Sequence, residues 1–309
     1  MKLSDFDYNL PKELIAQKPA SPRGHSKLMV LDRQQQKIEH KHFFDIVDYL
    51  HQGDVLVLNN TKVFPARLIG KRQDTGGKVE VFLLRKSQIP NNFKIQNSKL
   101  IYEYWQVLIG NRKKKVGQII EFDRGLKCEV LRQIDESVWR VKFNKLGDTL
   151  EKLIDKLGQV PTPPYIKIED LRSKTKKLKL EYQTVYAKKR GSVAAPTAGF
   201  HFTQSLINKL KKKGVQFEFI TLHIGYGTFA EVREESIEKH KMHAEFAQLD
   251  ARTAKRLNKA KKDGRRIIAV GTTTVRTLET FSEKFQIPNS KSGTKSTAEM
   301  DRYLYLSGI

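Results

Sequence analysis

Cysteine is all but missing from this chain of 309 residues: Cys128 stands alone, which excludes an internal disulfide framework and makes a reducing compartment the simplest home. Long apolar runs are missing too. No stretch approaches the length of a membrane span, and Asp5 and Asp7 precede any hydrophobic run. Neither a signal peptide nor an anchor is visible, and a soluble, cytoplasmic protein with no membrane partner is expected. Carboxylates are few: 34 Asp and Glu face 58 Lys and Arg, a formal charge of +24 spread along the whole chain. A field of that sign suits a polyanionic partner such as nucleic acid, although solvated surface lysine accounts for part of such an excess equally well. No phosphate-binding loop ending in Lys-Ser/Thr, no Ser-His-Asp order and no paired cysteines occur, which removes the commonest nucleotide, nucleophile and zinc signatures.

What is present is enough apolar side chain, 39% of residues, for one large domain or two ordinary ones. Asp54 to Leu58 reads as a short apolar strand, followed by the polar turn Asn59-Asn60-Thr61. From Arg67 to Phe143 the texture is β-rich, with runs at 78–84, 103–109, 118–122, 126–131 and 137–143 separated by Gly, Asn or Asp. Such spacing predicts a small barrel or sandwich. Asp148 is placed to cap a helix bearing Leu150, Leu153, Ile154 and Leu157, with Gly158 at a left-handed C-cap. The run 167–190, rich in lysine, reads as a solvated loop rather than an RNA-facing arm.

Beyond it the elements alternate. Thr203 caps a helix that Gly214 ends, residues 215–222 form a strand, Asp250 starts a helix that Gly264 ends, 267–270 is a strand and 274–285 is helical. The fold class is therefore α/β: a discontinuous α/β domain (1–65 and 158–309) with an inserted β-barrel-like domain (66–157).

Three runs carry chemistry. In Gly191 to Thr203 small residues lead into a capped helix, which suits either a carboxylate or phosphate at the helix start or a tight helix–sheet contact. Thr221 to Phe229 places His223 at a strand end before Gly225-Tyr226-Gly227, the position where α/β sheets bind ligands. Val270 to Arg276 runs strand, hydroxyl-rich turn, helix, fit for a ribose or carboxylate or simply for helix capping. His240, His243 and Glu245 invite a metal reading, but spacings of three and two fit no common zinc motif, so acid–base or hydrogen-bonding work is expected and no metal.

Together and in this order these runs resemble the S-adenosylmethionine:tRNA ribosyltransferase-isomerases, the epoxyqueuosine-forming enzymes. The resemblance begins at Leu10 to Gln17 and Arg23 to Leu28, passes through Gly53 to Leu68 and Gly76 to Glu80, and resumes at Pro163 to Ile166, Tyr182 to Ala187 and the three runs above, fading after about Glu279. It implies a β-barrel inserted in an α/β domain. It also implies S-adenosylmethionine as co-substrate, with tRNA carrying 7-aminomethyl-7-deazaguanine at the wobble position as partner. The aminomethyl group receives the ribosyl carbons, rearranged to an epoxycyclopentanediol, while adenine and methionine leave. The sulfonium acidifies the adjacent ribose carbon, so a base must take a proton; the resemblance makes His201, His223 and His243 the candidates. Pro196, Thr197, Gly225, Gly227, Thr228, Thr272, Thr273 and Arg276 would hold the methionine or ribose, and Arg23, Lys62 and Arg67 would meet tRNA.

Two features depart from the family. Leu178 stands where members usually carry an acidic residue, and residues 298–309 only faintly resemble the family's Gly-Trp-Thr-Asp stretch, with no Thr-Asn-Phe-His-Leu-Pro segment following. A monomer is expected, with activity below that of longer members. A non-catalytic tRNA- or rRNA-binding protein would need the charge and the barrel without the histidine-bearing turns; a metal-dependent hydrolase would need an ion at His240 and His243.

Overall fold

The computed structural model describes residues 1–87, 102–110, 115–163, 165–166, 175–229, 232, 234–240, 244–284 and 304–306. The chain divides into two compact units, one formed by Met1–Lys62 with Glu181–Ile309, the other by Val63–Leu180. Among the described residues no helix is long and apolar enough to cross a membrane.

The first unit opens with a hairpin, β1 (Lys27–Asp32) against β2 (Lys37–His42), and a one-turn helix α1 (Ile46–Tyr49). Its centre is β3 (Val55–Asn59), buried at every residue. A continuous apolar run is what a parallel strand covered on both faces requires, and both faces are covered here. Leu56 and Leu58 join one core with Leu28, Phe43, Ile46, Phe202 and Leu210. Val55 and Val57 join the other with Ile220, Leu222, Leu257 and Ala269.

Parallel to β3 lie β12 (Gln216–His223) on one side and β14 (Ile267–Val270) on the other; β14 in turn pairs with β15 (Leu304–Leu306). A short β13 (Phe246–Gln248) adds antiparallel to the end of β12. Helices α4 (Gln204–Lys212), α5 (Ala251–Lys262) and α6 (Thr272–Lys284) complete the layer. Their ends follow from side chains. The Thr203 hydroxyl accepts from the Leu206 N–H at 3.1 Å, Asp250 accepts from the N–H groups of Arg252 and Thr253, and Gly214 (φ +90°) and Gly264 (φ +70°) take the left-handed conformation that ends α4 and α5.

The second unit is a closed antiparallel barrel in the order β10-β7-β6-β5-β8-β9. Its strands are β5 (Arg67–Arg72), β6 (Lys78–Lys86), β7 (Glu103–Ile109), β8 (Ile119–Glu121), β9 (Lys127–Gln133) and β10 (Val138–Phe143). Alternate residues such as Cys128, Val130, Val141 and Phe143 fill the interior. Burial pushes the Cys128 thiol up, so it is an inert core group. Two short strands, β4 (Thr61–Val63) and β11 (Lys189–Ser192), pair with each other.

Several expectations change. Strand β5 is not picked out from sequence because one of its inward positions is a glycine, Gly70, although its burial alternates. A Cβ there would come within 2.7 Å of the Glu121 carbonyl. Asp148 lies in the first turn of α2 (Gly147–Leu157), whose N-cap residue Leu146 makes no side-chain cap. Gly158 is not left-handed: its φ is −76°. Glycine is required there because a Cβ would lie 2.0 Å from the Pro65 carbonyl oxygen. The lysine-rich run is not all loop, since Thr175–Glu181 is helical (α3) and β11 follows; residues 167–174 lie outside the described residues.

The Gly158 contact is with main chain, which cannot swing away. Gly158→Ala is expected to destabilise the barrel unit by about 3 kcal/mol, read as a lowered melting temperature. An unchanged melting temperature would show that the β5 entry relaxes freely.

Candidate active site

Strands β3, β12 and β14 run parallel, so their carboxyl ends fall at one edge of the sheet, where side chains from three separate stretches meet. Asn59, fully buried at the end of β3, ties them. Its amide donates to the Leu222 carbonyl (3.0 Å) and to Thr273 Oγ1 (3.2 Å), and its oxygen accepts from the N–H groups of Leu222 and Thr61, both at 3.1 Å. Read in sequence as turn chemistry, Asn59 is instead the rivet between the end of β12 and the start of α6.

His223 ends β12. Its Nδ1 is 2.8 Å from Thr61 Oγ1, and its ring stacks on Phe246 with centroids 5.3 Å apart. The Thr61 hydroxyl also points its donor side at the Lys189 carbonyl, 3.5 Å away. A hydroxyl has one proton; given to the carbonyl, it leaves oxygen lone pairs to accept from Nδ1–H, and Nε2 is then free to accept a proton. That nitrogen lies against Gly191 (φ +154°), where a Cβ would sit 2.6 Å from it. Gly191 is therefore small to admit His223.

His201 is held by the same device. Its Nδ1 is 2.6 Å from Ser26 Oγ, and Ser26 Oγ donates to the Arg23 carbonyl at 3.2 Å. The ring lies 5.2 Å from that of Phe43. Burial lowers the affinity of both histidines for a proton, and for His201 the nearby Arg23 guanidinium adds to the effect. Both are neutral, base-competent imidazoles at pH 7. His201 sits with Ser26 and Phe43, His223 with Thr61 and Phe246. His243 lies outside the described residues.

Glu245 joins two of the sequence runs. One carboxylate oxygen accepts from the Gly225 N–H at 2.8 Å, and the other pairs with the Arg276 guanidinium. Its side chain is 8% exposed, so the carboxylate is spent on the Gly-x-Gly turn and on α6 rather than open to an ion. Thr228 closes that turn through its N–H to the Gly225 carbonyl, 3.3 Å. Thr272 and Thr197 are exposed, Pro196 is buried, and Gly271 (φ +84°) brings the α6 turn against Ala198, with 3.2 Å between an added Cβ and the Ala198 Cβ. The Thr274 hydroxyl turns back to the Val270 carbonyl, 2.8 Å, as helix-start chemistry.

In the run Gly191 to Thr203 the tight-packing reading wins at Gly199, where a Cβ would lie 1.9 Å from Tyr186 Oη. The start of α4 is already capped by Thr203. Of the three cations, Arg23 donates to the carbonyls of Gln183 (2.6 Å) and Glu181 (2.8 Å), Arg67 pairs with Glu80 (2.7 Å), and Lys62 is exposed.

A cavity of about 480 Å³ opens beside β12, with Asn60, Lys189, Phe219, Thr221, Gln248 and Asp250 in its wall. None of the site residues named from sequence lines it, yet Thr221 is two residues from His223 and shares its face of the strand. Thr221 Oγ1 donates to Asn60 Oδ1 at 2.7 Å. Asn59, Thr61 and Ser26 are the functional positions to which sequence reasoning gave no role in the site, whereas Glu245, read from sequence as a group for acid–base or hydrogen-bonding work, does make hydrogen bonds. The polar Asn-Asn-Thr immediately after an apolar strand was the local signal for Asn59 and Thr61.

The family model described as Queuosine biosynthesis protein matches residues 3–305. The S-adenosylmethionine:tRNA ribosyltransferase-isomerase of Caldanaerobacter subterraneus subsp. tengcongensis is 47% identical over 294 residues, which cover 95% of this chain and 81% of that protein. The crystal structure of an S-adenosylmethionine tRNA ribosyltransferase from Thermotoga maritima is 33% identical, over 93% of this chain and 74% of its own, with a TM-score of 0.41.

Proposed function

Because the chain belongs to the queuosine biosynthesis protein family, we propose that it is an S-adenosylmethionine:tRNA ribosyltransferase-isomerase acting on 7-aminomethyl-7-deazaguanine at the tRNA wobble position, in the cytoplasm. The observation that carries this reading is His223, a neutral imidazole at the carboxyl end of a parallel strand whose Nδ1 is engaged by Thr61. A ribosyl donor with a sulfonium leaving group needs a base for the acidified ribose carbon, and His223 Nε2 supplies it. His201, held in the same tautomer by Ser26, serves a second proton transfer; His243 is a further candidate for that step.

Arg276, oriented by Glu245, supplies the positive charge that meets the methionine carboxylate. The turns at Pro196 and Thr197, Gly225 to Thr228, and Thr272 and Thr273 border the ribose. Lys62, exposed, is the best placed of the three cations for a tRNA phosphate, since Arg23 and Arg67 hold protein partners.

The test is incubation of the chain with S-adenosylmethionine and tRNA bearing the aminomethyl-deazaguanine. Free adenine and methionine are expected, strictly dependent on that tRNA. Methyl transfer, or no reaction from folded protein, would overturn the proposal.

The pH dependence follows from burial. Both histidines bind protons less readily folded than the ordinary imidazole near 6.5. Activity is therefore expected to hold from pH 7 down to 6.5 and to fall only below that, as the folded groups protonate. Stability moves the same way: the unfolded chain takes up these protons first, so stability is complete above about 6.5 and declines as pH falls toward the folded values. An acidic limb of kcat/KM centred above 6.5 would contradict the assignment.

A further inference from the structure

The outward face of the β1–β2 hairpin exposes apolar and aromatic side chains on a regular strand pair. Register pairs Lys27 with His42, Met29 with His40 and Leu31 with Ile38, so these six side chains share one face. All are exposed, with Leu31 at 61% and Ile38 at 60%. Phe44 lies beside them, 41% exposed, with its ring parallel to that of His42 (interplanar angle 2°, centroids 5.2 Å). The ring of His25 meets Phe44 edge-on at 5.1 Å. Three exposed rings thus form one cluster, flanked by Lys27, and the strand residues on this face include no carboxylate. The opposite face carries Leu28 and Val30 into the core, which fixes the hairpin as a rigid support.

An apolar ring cluster left in water costs solvation that a partner recovers, and its chemistry narrows the partner. Flat rings with histidine and lysine, the nearest carboxylate (Asp45) being held by the His42 main-chain N–H at 2.9 Å, suit a nucleobase on a phosphate chain, which stacks on π faces and is drawn by cations. Position points the same way. A Cβ built at Gly24 would lie 3.8 Å from both the Phe44 Cβ and the His201 carbonyl oxygen, so a base stacked on Phe44 would lie close to the segment that carries His201. We infer that Phe44, His42 and His25 form a stacking platform for an unpaired base of the RNA substrate, with Lys27 on its phosphate. This rests on the proposed tRNA reaction and adds the surface that holds the loop.

The experiment measures tRNA affinity of the full chain by fluorescence anisotropy across a salt series, for wild type, Phe44→Ala, Phe44→Tyr, His42→Ala and Lys27→Ala, with melting temperature and sedimentation as controls. Removing an exposed ring should leave melting unchanged. Phe44→Ala should weaken binding roughly tenfold with the salt slope intact, because stacking releases no counterions; Phe44→Tyr should bind like wild type. Lys27→Ala should reduce the slope of log affinity against log salt by about one. Equal affinity of Phe44→Ala and wild type would overturn the platform while leaving the reaction standing. A wild-type dimer that Phe44→Ala converts to monomer would also overturn it, assigning the face to a second copy. Wild type that binds no tRNA at any salt would sink the reaction and the platform together.

Discussion

His223→Ala is expected to lower tRNA-dependent adenine release by about 10²- to 10⁴-fold, the usual cost of losing a positioned acid–base group. The ring contacts Phe246 on one side and Gly191 on the other, and its Nδ1 is satisfied by Thr61. Its removal opens a small space at the sheet edge without touching either core cluster, so the melting temperature should fall by only a few degrees. Three measurements separate a base from a structural ring. The acidic limb of kcat/KM should lose the His223 contribution in the variant and become shallower, KM for S-adenosylmethionine should change far less than kcat, and Thr61→Val, which removes the hydroxyl that sets the tautomer, should reproduce part of the loss. His201→Ala made in parallel ranks the two imidazoles. Turnover within twofold of wild type for His223→Ala would remove it from the chemistry.

Glu245→Ala is expected to damage both stability and binding. The carboxylate is buried and accepts two hydrogen bonds, one from the Gly225 main chain and one from a cation. Its loss strands the Gly225 N–H and leaves Arg276 without its anion. A buried pair broken from one side can cost 3–5 kcal/mol, but the Arg276 side chain is about one-third exposed and water repays part of that, so a loss of ~2 kcal/mol is expected. The effect on S-adenosylmethionine should be a raised KM, about tenfold, because a guanidinium that has lost the Glu245 carboxylate no longer presents the same fork. Glu245→Gln retains an acceptor for Gly225 and should recover stability more than KM. In a double-mutant cycle with Arg276→Ala the two losses should be strongly non-additive. Simple additivity would show that Glu245 acts on the turn alone.

Much of the architecture could be read from the chain. The unbroken apolar run at β3, the caps Thr203 and Asp250 and the terminating glycines Gly214 and Gly264 each have a local cause, and each stands where the pattern puts it. Reading failed where the cause was distant. Gly158 looks like a helix terminator, yet it is glycine because Pro65, far back in the chain, crosses directly above it. Strand β5 lost its signature to Gly70, which makes room for the Glu121 carbonyl and the Ile120 side chain.

The candidate site divides in the same way. His201, His223 and Arg276 announce themselves by residue type and by following strands or small-residue runs, and those are local properties. Their pairings do not. Ser26 lies 175 positions before His201, Thr61 162 before His223, and Glu245 31 before Arg276. Nothing in a pattern of periodicity or turn chemistry connects such pairs, because they meet only when parallel strands bring their carboxyl ends to one edge. By itself the sequence determined the α/β layer, the barrel and the residues able to carry protons and charge. The tertiary structure decided which nitrogen of each histidine faces a hydroxyl, which carboxylate holds the arginine and which hairpin face remains uncovered, because hydrogen bonds and burial between distant segments exist only once the chain is packed.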